Sequence, residues 1–225
     1  MPVSHHAVRS RLESGPESSR VARRHDARQL AAHLARLRQP DGRLQDLWLF
    51  AYGSLIWKPE FEFSQQLIAR VQGYHRALRM RSRLYRGTPE QPGLVLALLS
   101  GGSCRGMLYR VDATRAEATL RQVWDREMIS GVYEPRWLSC HAADGSTRQA
   151  LAFTLSRRSP NCTGALDEAQ LVHVLRHASG RYGSTLEYLQ RTVHSLRAHG
   201  IHDRELERQY HLALRHGLCC EPAAG

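Results

Sequence analysis

Residues 47–57 read LWLFAYGSLIW. Four large apolar residues run into Ala-Tyr-Gly-Ser, and the chain turns apolar again at once. A hairpin would place turn residues between two half-polar arms. Both flanks here are apolar, so the break lies inside the protein. The stretch reads as a buried strand that ends in an internal loop. A glycine in such a place lets another backbone, or a ligand, come close.

Outward from this stretch, the pattern stays β to residue 111. Residues 77–84, ALRMRSRL, alternate, with Leu78, Met80 and Leu84 on one face and Arg79, Arg81 and Arg83 on the other. LVLALL at 94–99 reads as a buried strand, and Gly101-Gly102 as the turn of a hairpin into 104–111. Residues 112–127 change to helical period. Thr114 and Glu117 have capping-box spacing, with Asp112 as an alternative cap. RWLSCHA and QALAFTLS flank Asp144-Gly145 and form a second hairpin. Three helical stripes follow: Leu171, Val174, Leu175 and Ala178; Leu186, Leu189, Val193 and Leu196; Leu206, Tyr210 and Ala213. Strands first and helices last predict an α+β domain.

Before residue 47 the chain differs in character. Residues 1–20 are polar and low in hydrophobicity, the composition of a disordered segment, and 21–38 form a basic helix with Leu30, Leu34 and Leu37 at helical spacing. The organisation expected is an extension over 1–46, a folded domain over 47–218 and a tail over 219–225. A length of 225 residues fits one domain with such an extension.

The apolar runs are too short to span a bilayer, and no basic start leads into an apolar leader segment. A cytoplasmic protein without membrane partners is expected. The net charge is +11, and Lys58 is the only lysine. Such a chain invites a nucleic-acid reading, supported by the Arg-rich strip 76–86 between Tyr74 and Tyr85. No RNA-binding signature or zinc module accompanies it, and arginine standing in for lysine explains the charge without a nucleic-acid partner. The cysteines are Cys104, Cys140, Cys162, Cys219 and Cys220, an odd number with no Cys-x-x-Cys pair. They suggest no disulfide framework. Cys219-Cys220 reads as an exposed tail pair, and His173–His177 as a helix-surface feature. No metal and no cofactor are expected.

One carboxylate is out of place. On the helix over 112–127, Ala116, Leu120, Val123 and Trp124 form the apolar stripe, and Glu127 continues it seven residues past Leu120. Burying a charge costs several kcal/mol unless it is paired. Two readings follow: an ion pair with Arg126 or another arginine, or a helix end reaching solvent; or else a general base whose pKa is raised by desolvation.

LFAYGSLIWKPEFEF, GYHRALRMRS, RGTPEQPGLVLAL, GGSCRGMLYR, WDREMISGVYEPRWL and SGRYGSTLEYL, in this order, resemble the ChaC-type γ-glutamylcyclotransferases. The likeness spans roughly residues 47–200. Ala51 departs from it, since the family usually has glycine there. The resemblance implies a small mixed β-barrel with peripheral helices. It also implies cleavage of glutathione to 5-oxoproline and Cys-Gly, or in the alternative of other γ-glutamyl amino acids or amines. The substrate's own α-amine would attack its γ-carbonyl, so no covalent enzyme intermediate is required. On this resemblance Glu127 is the general base. The loop of Leu49, Phe50, Ala51, Tyr52, Gly53, Ser54 and Leu55 grips the γ-glutamyl end, largely through backbone groups, and Ser54 binds rather than attacks. Arg81 and Tyr188 lie in matching segments, as substrate contacts or as surface and packing residues. The oligomeric state is not legible.

Overall fold

The computed structural model describes residues 16–129 and 131–220. The element order is α1 (Pro16–Arg36), β1 (Leu47–Ala51), a 3-10 turn (Ser54–Ile56), β2 (Gln65–Ser82), β3 (Gly93–Val111), α2 (Ala113–Glu127), β4 (Glu134–Ala142), β5 (Thr147–Thr154), α3 (Glu168–His177), the two-residue strands β6 (Ser179–Gly180) and β7 (Gly183–Ser184), α4 (Thr185–Ala198) and α5 (Arg204–Arg215). The α+β class expected from the pattern is the class observed. Five strands close into a barrel in the order β1-β3-β2-β4-β5. Its neighbours pair antiparallel except at the seam, where β1 meets β5 in parallel, Leu49 opposite Leu151.

The hairpin expected at Gly101-Gly102 does not form. Residues 93–111 are one continuous strand, paired along its length with β2. Gly101 and Gly102 sit at φ 100° and 72°, opposite Gly73 at φ 80°, where the register shifts between Gln72 and Tyr74. A positive φ that suits a hairpin turn also suits a bulge, and here it bends two long strands around the barrel. A second irregularity, between Leu78 and Met80, interrupts the alternation read over 77–84. Leu84, expected on the core face, lies beyond the strand and is 57% exposed. Buried on this ribbon instead is Arg76.

Nor does the Thr114–Glu117 capping box form. Glu117 pairs with Arg38 and Arg121. Asp112 occupies the N-cap without a side-chain cap bond and accepts from Ser64 Oγ at 2.6 Å. The Ala113 N–H is satisfied from outside the helix by Asp46 Oδ1, at 3.0 Å, while Asp46 Oδ2 holds Arg110 at 2.6 Å. Asp144-Gly145 turns β4 into β5 as expected, with Gly145 at φ 83°. Helices α3, α4 and α5 bury the three anticipated stripes in large part, with caps at Asp167, Ser184 and Asp203.

Helix α1 packs on the barrel from outside. Leu37 is fully buried, Trp124 Nε1 donates to Asp26 Oδ1 at 2.8 Å, and Trp137 Nε1 donates to His33 Nδ1 at 2.9 Å. Most of the segment expected to be disordered, residues 1–15, lies outside the described residues, as do residues 221–225 of the tail. No helix among the described residues is long and apolar enough to cross a membrane. All five cysteines are free; Cys219 is partly buried and Cys220 exposed.

Asp46 joins the entry to β1, the end of β3 and the start of α2. Replacing it with alanine removes a cap and an ion pair together. Asp46→Ala is expected to lose about 1–2 kcal/mol of stability in urea unfolding, and Asp46→Asn less, because an amide oxygen still caps Ala113.

Candidate active site

At one mouth of the barrel, β1 ends and the chain turns through Tyr52-Gly53 into the 3-10 turn. Strand alternation puts Phe50 and Tyr52 on one face and Leu49 and Ala51 on the other. A small cavity is lined by Phe50, Tyr52, Gly53, Ser54, Leu55 and Glu127, and completed by Leu96, Tyr133, Phe153 and Tyr188. Five of the seven loop residues anticipated thus meet Glu127 in one place. Leu49 and Ala51 do not line the cavity; both are buried in the β1 ladder, opposite Tyr109 and Met107. Ala51 has no positive φ, so alanine is accommodated there without backbone strain.

Glu127 is the last residue of α2, and 15% of its side chain is exposed. Both readings made from its position meet here. Arg126 Nε lies 3.3 Å from Glu127 Oε1, so the ion pair exists. Burial nevertheless outweighs it, and the carboxyl is pushed above its ordinary pKa, with Arg126 opposing the shift. Arg126 is shared: its guanidinium also bonds Ser54 Oγ at 3.1 Å, Lys58 O at 2.6 Å and Glu60 Oε2 at 2.8 Å. It therefore ties the loop to the end of α2, and Glu127 receives only part of its charge.

Three phenols surround the carboxylate. Tyr52 donates to Phe153 O at 2.7 Å and Tyr133 to Leu96 O at 3.2 Å. Burial first, and then neighbouring groups including Glu127, push both hydroxyls well above the ordinary tyrosine range. Tyr188 is pushed up to about 12, chiefly by burial, and its oxygen accepts from Leu96 N–H at 3.4 Å. All three are held neutral; Tyr52 and Tyr133 already donate to carbonyls, and Tyr188 keeps its proton to give. A Cβ placed on Gly53 would lie 3.0 Å from the Tyr188 oxygen, which is why the loop comes so close to that phenol only with glycine.

Tyr188, expected as a substrate contact or a packing residue, lies in the cavity wall. Leu96, Tyr133 and Phe153 join it there without having been expected. Tyr133 lies in the segment WDREMISGVYEPRWL, six residues past Glu127, where its proximity was the available signal. Arg81 is elsewhere, exposed on β2 with Nη1 3.2 Å from Pro160 O. Among the described residues no group of three or more His, Cys, Asp or Glu is placed to hold a metal ion. A carboxylate of raised pKa, neutral hydroxyl donors and an open loop backbone suit proton transfer beside an acyl group.

A family model described as ChaC-like protein matches residues 47–214. The glutathione-specific γ-glutamylcyclotransferase of Escherichia coli K12 is 37% identical, over 72% of this chain and 69% of the relative. The human glutathione-specific γ-glutamylcyclotransferase 1 is 31% identical, over 67% of this chain and 70% of the relative. The crystal structure of a yeast γ-glutamyl cyclotransferase specific to glutathione superposes with a TM-score of 0.69 at 18% identity, covering 76% of this chain and 96% of that one. It bears on the fold.

Glu127 should oppose folding at the pH where it is charged. Its folded pKa lies above the ordinary value of 4.5, so its contribution to stability is full below that value and is lost as pH rises through the folded pKa. Glu127→Gln is therefore expected to gain stability over the parent as pH is raised from acid to 8. Paired urea midpoints at acid and alkaline pH measure this. A difference that is flat, or that moves in the parent's favour as pH rises, would count against a raised pKa.

Proposed function

The chain belongs to the ChaC-like family, and we propose that it is a γ-glutamylcyclotransferase that converts glutathione to 5-oxoproline and Cys-Gly. The observation that carries this reading is Glu127, a carboxylate of raised pKa sunk in the same cavity as Tyr52, Gly53, Ser54 and Leu55. In the proposed reaction the γ-glutamyl α-amine attacks the γ-carbonyl carbon of the same molecule. A five-membered lactam closes, and the amide bond to cysteine breaks. Nucleophile and electrophile arrive tethered, which removes the entropy cost of bringing them together.

The chemical difficulty is the proton. Model α-amines titrate near about 8, so at neutral pH most of the substrate amine is protonated. Glu127 takes that proton and returns it to the departing cysteinyl nitrogen. A carboxylate raised by burial is better matched to both transfers than an ordinary one. Loop amides and the neutral Tyr188 hydroxyl are the donors for the oxygen of the tetrahedral intermediate. Ser54, engaged by Arg126, holds the loop and substrate and forms no acyl-enzyme. The free cysteines fit a reducing compartment, and we assign the activity to the cytoplasm.

Incubation with glutathione, followed by mass spectrometry, tests the reaction. 5-oxoproline and Cys-Gly are expected; free glutamate as the first product would mean hydrolysis instead. Glutathione acetylated on the glutamyl nitrogen lacks the attacking amine and should not be cleaved. Comparing kcat/KM for glutathione and γ-Glu-Ala decides the substrate class, with glutathione expected to be strongly preferred.

Glu127→Gln is expected to keep the fold and to lose about 10²–10⁴-fold in kcat, the usual range for removing a general base. A variant that keeps a third of the parent's turnover would remove Glu127 from the mechanism. At the loop, Gly53→Val should harm activity more than Ser54→Ala, since the first blocks the approach beside Tyr188 and the second removes one hydroxyl.

A further inference from the structure

Arg76 is the one arginine on the β2–β3 ribbon whose charge is sealed inside the protein. Only 1% of its side chain is exposed. Its three donor groups reach three different parts of the fold. Nε donates to Asp203 Oδ2, at the N-cap of α5, at 2.8 Å. Nη2 donates to the backbone carbonyl of Arg105 on β3. Nη1 donates to the carbonyl of Tyr52 at 2.7 Å, in the loop of the candidate active site.

The last bond has a consequence across one peptide unit. No peptide bond among the described residues is cis. In a planar trans peptide the C=O of one residue and the N–H of the next point in opposite directions. By holding the Tyr52 carbonyl, Arg76 directs the Gly53 N–H away from itself. Gly53 lines the cavity, and its N–H has no acceptor among the described residues. A charged donor on the carbonyl also polarises the peptide and strengthens the N–H at its other end. Asp203 Oδ2 orients the guanidinium, while its Oδ1 caps α5 at Leu206 N–H, 3.2 Å away.

We propose that Arg76 is a positioning residue for the cyclisation: through the Tyr52–Gly53 peptide plane it aims the Gly53 N–H at an oxygen of the γ-glutamyl group. This rests on the function proposed above. Only a planar fork reaches three acceptors at fixed angles, so lysine, a point charge on a flexible stem, keeps the charge and loses the aim.

Arg76→Lys and Arg76→Gln are compared with Leu206→Ala, which removes core volume from α5 without touching Tyr52. Each is assayed where circular dichroism shows it folded. Arg76→Lys is expected to lose about 10²-fold in kcat/KM, the scale of one misaligned oxyanion donor, and Leu206→Ala to stay near the parent. A folded Arg76→Lys with the parent's kcat/KM, or an equal loss in Leu206→Ala, would overturn the proposal. The second readout needs neither turnover nor ligand. In glycine-labelled protein, the Gly53 amide resonance is expected to shift between the parent and Arg76→Lys, and an unchanged resonance overturns the clamp. If the parent releases no 5-oxoproline, the reaction assignment fails, and this resonance alone decides whether Arg76 orients the Gly53 amide.

Discussion

The arrangement depends on a five-residue strand that closes the barrel. Strand β1 pairs with β3 on one side and meets β5 in parallel on the other, so the chain leaves it at a fixed point in the barrel mouth. The closure is tight: a Cβ on Gly106 would sit 2.3 Å from the Ala51 carbonyl oxygen. Because β1 stops there, Tyr52 and Gly53 emerge where the end of α2 also arrives. Loop and carboxylate come together through the barrel, and not through their separation of some seventy residues in sequence.

Electrostatics then divide the site into two sides. Glu127 shares Arg126 with Ser54, Lys58 and Glu60, so its charge is only partly compensated and burial raises its pKa. Arg76, behind the loop, is compensated more fully, by one carboxylate and two carbonyls. The base proposed here needs a proton affinity that can change hands, and a positioning cation needs fixed partners. The same low-dielectric interior provides both, according to how many partners each group has.

The basic character of the chain reads differently once folded. Much of the arginine is engaged in ion pairs and carbonyl bonds at the surface, as with Arg38 and Arg121 on Glu117 and Arg157 on Ser100 O. Surface pairs of this kind add little stability individually. The N-terminal helix, outside the segment matched by the family model, packs beside Trp124 and Trp137, and Leu37, just past its end, joins the core.

The sequence determined what local period and residue type determine. The amphipathic stripes of α2, α4 and α5, the Asp144-Gly145 turn and the apolar break at Tyr52-Gly53-Ser54 were legible because each rests on neighbours along the chain. Glu127 stood out for the same reason, as a charge on an apolar helical face. Only the tertiary structure decided what Gly101-Gly102 does, because positive φ serves a hairpin turn and a strand bulge alike, and the pairing of β3 with β2 on both sides of these glycines settles the matter. It also decided that Asp46, not Thr114, satisfies the start of α2, and that Tyr133, Phe153 and Leu96 face Glu127. Arg76 sat in the Arg-rich strip 76–86 that invited a nucleic-acid reading. Its burial depends on Asp203, 127 residues further along, and no local pattern carries a partner at that distance.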